Sequence, residues 1–230
     1  MAVLAAARRR VLERIADAAD AAGRDPAGVT LVAVSKTVPP ERLVAAVAAG
    51  LELLGENRVQ EAAAKAPLVP GARWHLVGHL QANKARRAVE LFAAIESVDS
   101  LELAVRLDRL AAESRPGVPL SVHLQVNVDA DPAKAGFTPD ALAASIGELA
   151  SLPALELVGL MTVGRLVERA EEARPTFVRL RELSERLRAR EGRLGPGLSM
   201  GMSDDFEVAV EEGSTLVRVG RALFGERRAD

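Results

Sequence analysis

Eight short apolar runs, separated by helical patterns, constrain this chain more than any other feature. They read TLVAVSK (30–36), LELLGEN (51–57), RWHLVGHL (73–80) and AAIESVD (93–99), then LSVHLQVNV (120–128), LELVGLMTV (155–163), GLSMGMS (197–203) and TLVRVG (215–220). Runs of this length, apolar almost throughout, are how strands buried on both faces appear in a sequence. Antiparallel hairpins would alternate polar and apolar residues and join through tight turns. Here each run is instead followed by a segment long enough for a crossover helix.

The intervening segments carry helix end signals. Pro39 and Pro40 open one helix and Gly50 closes it. ENRVQEAAAKA, QANKARRAVEL and SLELAVRLDRLAAES follow the second, third and fourth runs. Thr138 is placed as an N-cap with Pro139 at the first helical position. A long helix is expected near 170–190, with Pro175 in its first turn, and SDDFEVAVEEG offers Ser203 or Asp204 as a cap and Gly213 as a stop. Ahead of all this, residues 2–22 set Leu4, Ala7, Val11, Ile15 and Ala18 on one face, ending at Gly23. Eight strand–helix units predict a single-domain (β/α)₈ barrel over 1–230 with an additional N-terminal helix. An open doubly wound sheet is the alternative, but no G-x-G-x-x-G with a following acid is present.

Composition narrows the function. The chain has 30 basic and 32 acidic residues, a balance that leaves no footprint for nucleic acid or anionic lipid. The short runs Arg8-Arg9-Arg10, Arg86-Arg87 and Arg227-Arg228 read as solvated helix faces. Without cysteine there is no disulfide, thiolate nucleophile or cysteine metal site. No apolar run nears the roughly 18 residues of a membrane span, and the N-terminus lacks signal-peptide order, so a cytoplasmic protein is expected. His75 and His79 on one strand would stand too far apart for one metal. His123 reads as a satisfied core or rim residue, Asp204-Asp205 as first-turn carboxylates, and Lys84 and Lys134 as surface cations that could also attract or accept a ligand. The outer helices show no apolar stripe beyond the one covering the barrel, so a monomer or weak dimer is expected.

Active sites of such barrels gather at the C-terminal ends of the strands. Lys36, Asn57, His79, Asn127, Met161-Thr162, Ser203, Arg218 and Gly220 fall there. Lys36 stands out because only four of the 30 basic residues are lysines, and lysine, unlike arginine, can lose its proton and act as an amine nucleophile. Gly220 and the N–H groups of GRALFG, with the Ser203 hydroxyl, suit a phosphate after strands seven and eight. An amine facing a phosphate cradle fits a phosphorylated aldehyde, either pyridoxal 5′-phosphate or a sugar phosphate in a class I aldolase. Arg218, two residues before Gly220, favours the first: a guanidinium opposite a pyridine nitrogen cannot supply a proton and so weakens the ring as an electron sink.

AVSKTVPP, LLGENRVQE, WHLVGHLQANK, AKAGF, GLMTVG and LSMGMSDDFEVAVEEGSTLVRVGRALFG, in that order across nearly the whole chain, resemble the pyridoxal phosphate homeostasis protein family. These are single-domain barrels related to the barrel half of alanine racemase. The resemblance implies pyridoxal 5′-phosphate held as a Schiff base on Lys36, Asn57 and Met161 near the ring, and Arg218 at the pyridine nitrogen. It also implies phosphate contacts from Ser203, Gly220 and the backbone N–H of Arg221. Arg221 departs from the small residue, such as threonine, usual at that position, and position 79 varies. The family implies a carrier or buffer without strong catalytic activity, delivering cofactor to transient apoenzyme partners. Related racemases use a tyrosine from a second domain, and this chain contains no tyrosine. The remaining alternatives are a racemase or lyase using another base, or the aldolase-like enzyme.

Overall fold

In the computed structural model, which describes residues 1–165 and 167–225, all eight expected strands form. They are β1 (Thr30–Val34), β2 (Leu53–Glu56), β3 (Arg73–Leu76), β4 (Ala94–Val98), β5 (Leu120–Gln125), β6 (Leu155–Met161), β7 (Gly197–Met202) and β8 (Leu216–Val219). Each pairs in parallel with the next, and β8 returns to β1 through Thr30↔Leu216 to Ala33↔Val219, closing the barrel. Every strand is shorter than its apolar run, because the last residues of each run continue into the loops at the barrel mouth. The pair Arg227-Arg228 lies outside the described residues.

The helices cover the outside: α1 (Ala2–Ala21), α2 (Pro40–Ala48), α3 (Val59–Lys65), α4 (Ala85–Leu91), α5 (Leu101–Ser114), α6 (Pro139–Ala150), α7 (Arg174–Arg188), α8 (Phe206–Glu211) and α9 (Arg221–Phe224). Local chemistry sets their ends. Thr138 Oγ1 accepts from the N–H of Ala141 at 3.2 Å and Ser100 Oγ from Leu103 at 3.2 Å, each satisfying an orphan donor of the first turn. Asp204 and Asp205 do not enter the first turn of α8 as expected. The Asp205 carboxylate accepts from the N–H of Met202 at 2.6 Å, which folds the loop back and delays the helix to Phe206.

Strand side chains divide between two environments. Ala33, Leu54, Leu76, Ile95, Leu124, Leu160, Val217 and Val219 join helix residues such as Leu43, Leu107, Leu142, Phe177 and Phe206 in one layer. Val32, Val77 and Leu216, with Val34 and Leu53, form a separate small cluster. Their alternation with the outer set places them inside the barrel. Beside them the strands bury polar side chains, among them Glu96, His123, Ser199 and Arg218, an unusual filling for a volume normally packed with branched aliphatic residues.

Helix α1 buries Leu4, Ala7, Val11, Ile15, Ala18 and Ala19 and lies against α8 and α9. Arg14 fastens it: Nε and Nη2 donate to Glu207 at 2.7 and 2.6 Å, and the guanidinium stacks 4.4 Å from the centroid of the Phe206 ring. Beyond the helix, Arg24 donates to the carbonyls of Val210, Gly213 and Ser214, which close α8 and lead into β8.

Candidate functional site

The strand ends carry the expected residues to one rim. Lys36 sits in a turn two residues past β1, half-buried, and Thr37 after it adopts φ +66°. A β-branched residue in the left-handed region is strained, and such strain persists only where the surroundings enforce it. Asn57 directly follows β2. Its amide oxygen is buried and makes no hydrogen bond among the described residues. Met161 is fully buried at the end of β6, with its carbonyl accepting from Val126 at 2.8 Å.

On the far side of the seam, Gly220 N–H donates to Ser203 Oγ at 3.2 Å, so a strand-seven hydroxyl and a strand-eight amide meet at one spot. A Cβ at Gly220 would lie 3.3 Å from the carbonyl oxygen of Val34, so the backbone after β8 runs close to the β1 end that leads to Lys36. The exposed Arg221 side chain pairs with Asp204, leaving its backbone N–H as the group that could serve a ligand.

Arg218 is buried inside the barrel. One Nη donates to Ser199 Oγ and the other to the carbonyl of Thr162 at 2.8 Å. Ser199 in turn donates to Glu96 Oε2 at 2.7 Å, and Glu96 Oε1 lies 2.7 Å from His75 Nδ1. Burial works to raise the Glu96 pKa, but the hydrogen bond with His75 and the nearby Arg218 charge work against it, and the carboxyl is held below its ordinary value. His123 Nδ1 is buried with no partner among the described residues, contrary to a satisfied core histidine. Burial pushes this imidazole down to about 4, so it stays neutral at physiological pH.

The other sequence candidates fall elsewhere or into structural roles. His79 stands beyond the end of β3, exposed, with Nδ1 2.9 Å from Asp99 Oδ2, so it does not share a strand with His75. Asn127 uses its side chain to hold its own loop, donating to the carbonyls of Asp131 and Lys134. Lys134 Nζ donates to the carbonyls of Val163 and Gly164, which locks the loop after β5 onto the loop after β6. Glu96, Ser199, Glu56 and Lys65 were not singled out by the sequence. Their only signal was a polar residue interrupting an apolar run, or one lysine of four.

Two cavities, about 390 and 620 Å³, open at the opposite end of the barrel, where the strands begin. Their linings mix arginines, one glutamate each (Glu52, Glu156) and aliphatic residues, and hold no lysine, so neither offers an amine.

Residues 9–228 match the family model described as alanine racemase, N-terminal domain. Curated relatives named pyridoxal phosphate homeostasis protein include one from Pseudomonas aeruginosa, 44% identical over 99% of this chain and 97% of its own. Another, from Aquifex aeolicus, is 40% identical over 95% and 96%. Among solved structures, PipY of Synechococcus elongatus with PLP bound is 43% identical, with TM-score 0.81 over 94% of this chain and 100% of that one. An alanine racemase from Clostridium difficile shares the fold at 16% identity, TM-score 0.73, over 96% of this chain and 57% of its own. With the rim geometry and these likenesses together, the chain belongs to the pyridoxal phosphate homeostasis protein family, within the alanine racemase N-terminal domain fold.

Proposed function

We propose that this chain binds pyridoxal 5′-phosphate at the C-terminal mouth of its barrel and serves as a carrier that yields the cofactor to apoenzymes. The observation that carries the reading is the closure of β8 on β1, which sets the Ser203–Gly220 donor pair beside the strand end that leads to Lys36. The residues fit the group. A phosphate needs N–H and O–H donors, and Ser203, Gly220 and the Arg221 amide are such donors. A ring hydroxyl needs an acceptor, and the orphaned Asn57 oxygen is one. When bound, the cofactor supplies an aldehyde for a primary amine, the role of Lys36. The PLP-bound PipY relative, at 43% identity, supports the same ligand here.

Arg218 is the group set against the ring nitrogen. Always charged and already bonded to Ser199 and Thr162, it has no proton to give. The chain has no tyrosine, so a lysine–tyrosine pair of bases cannot form. Both features favour binding without amino-acid turnover.

The test is direct. Protein incubated with pyridoxal phosphate turns yellow, and borohydride reduction with peptide mapping finds the label on Lys36. Mixing the loaded protein with a cofactor-free acceptor enzyme activates the acceptor. A label on Lys84 or Lys134 rejects the site, and steady racemisation or lysis of an amino acid, lost in Lys36→Ala, rejects the carrier role.

A further inference from the structure

We propose that Glu96, acting through the Ser199 hydroxyl, is the positioning residue that anchors the Arg218 guanidinium; this rests on the pyridoxal phosphate reading, which sets Arg218 against the ring nitrogen. The four members come from β3, β4, β7 and β8, so the chain His75–Glu96–Ser199–Arg218 crosses the barrel interior.

Its direction is dictated by which groups can donate. A guanidinium only donates and an ionised carboxylate only accepts. Ser199 has one proton, which goes to Glu96, and its lone pair takes the Arg218 Nη–H. The other Nη is fixed by the Thr162 carbonyl, and the Thr162 hydroxyl donates to the carbonyl of Val126 at 2.9 Å, so that acceptor is held as well. Two edges of the guanidinium are thereby bound by groups that are themselves immobile.

Charge completes the arrangement. Glu96 is fully buried and Arg218 nearly so. A buried cation without a matching anion is costly, and a buried ion pair often stabilises no more than an apolar filling would. Neutral His123 adds no second cation beside Arg218; burial, the largest influence on Arg218, favours a lower pKa, and the charge of Glu96, followed by that of Asp205, opposes it. The carboxylate therefore has a purpose that an aliphatic barrel interior would not serve: it holds one cation in one orientation.

The experiment compares wild type, Arg218→Gln, Glu96→Gln, Ser199→Ala and Ser199→Thr. Each is loaded with pyridoxal phosphate, and the visible absorption band is followed against pH together with the dissociation constant. In the same proteins without cofactor, ¹⁵N NMR follows rotation of the Arg218 guanidinium. Expected are slow rotation in wild type and Ser199→Thr, and fast rotation in Ser199→Ala and Glu96→Gln. Both fast variants should also displace the band in the direction of Arg218→Gln and weaken binding by about tenfold, the scale of one charge-assisted hydrogen bond. Unchanged rotation, band and affinity in Glu96→Gln and Ser199→Ala, while Arg218→Gln alters the band, overturns the anchor and leaves the cofactor reading standing. If Arg218→Gln leaves the band of a yellow protein unmoved, the placement of Arg218 against the ring is wrong and the inference falls with it. A wild type that takes up no cofactor overturns both.

Discussion

Lys65 Nζ lies 2.6 Å from Glu56 Oε1 and 3.0 Å from the carbonyl oxygen of Ser35, so one ammonium group ties α3 to the ends of β1 and β2. The same carboxylate accepts from Ser35 Oγ at 3.0 Å and from the Asn57 N–H at 3.2 Å. Ser35 precedes Lys36 and Asn57 follows Glu56, so the cluster clamps the backbone at two rim residues. Glu56 is fully buried. Lys65→Met leaves it unpaired, and the expected cost is about 3–5 kcal/mol. Adding Glu56→Gln should recover more than half of that. Urea unfolding of the two single variants and the double one checks it; strictly additive costs would show that the two side chains are not coupled.

Gly159 and Gly197 face each other across the seam of β6 and β7, and a Cβ on Gly159 would overlap the Gly197 carbonyl. The obstacle is backbone and cannot swing aside. Gly159→Ala should lose more than about 3 kcal/mol or yield no folded protein. Gly28→Ala, with nothing within 4 Å of the added atom, should stay within about 0.5 kcal/mol of wild type. Thermal midpoints and folded yield distinguish the two.

The neutral His123 predicts a pH dependence of known sign. Its folded pKa of about 4 lies below the free value of 6.5, so the unfolded chain binds the proton more readily. The stability tied to this imidazole is complete above pH 6.5 and drains away as the pH falls to 4, by about 3 kcal/mol. His123→Leu removes the titration. Its stability relative to wild type should rise across that window, as read from denaturant midpoints at each pH. Parallel curves for the two proteins would refute the assignment.

Arg24 satisfies three carbonyls that close α8. Arg24→Ala leaves them to compete for water at the foot of β8, and the expected loss is about 2 kcal/mol. Arg24→Lys should recover part of it, since one ammonium cannot span three acceptors in the geometry of a guanidinium. Hydrogen exchange at Ser214 and Thr215 reports whether the loss is local.

The barrel was legible because its strands are buried on both faces and its helices begin at marked residues such as Pro40 and Thr138. The rim residues were legible because each ends an apolar run. The polar interior was not. Glu96 and Ser199 sit in the middle of strands, and a single sequence does not show that two such residues 103 positions apart meet inside a closed sheet. The start of α8 was misplaced for a related reason: Asp205 makes its bond backwards, to Met202, rather than into the helix. The orphaned nitrogen of His123 is also a tertiary fact, since the residue type alone favours a partner.

The pairing of β1 with β8 has a consequence for synthesis. A nascent chain leaving the ribosome cannot seal its sheet until Leu216–Val219, the last strand of the barrel, has emerged. Until then the hydrogen-bonding borders of the first and seventh strands stand open to any other extended polypeptide. Truncation before that point should convert a well-behaved protein into a chaperone client.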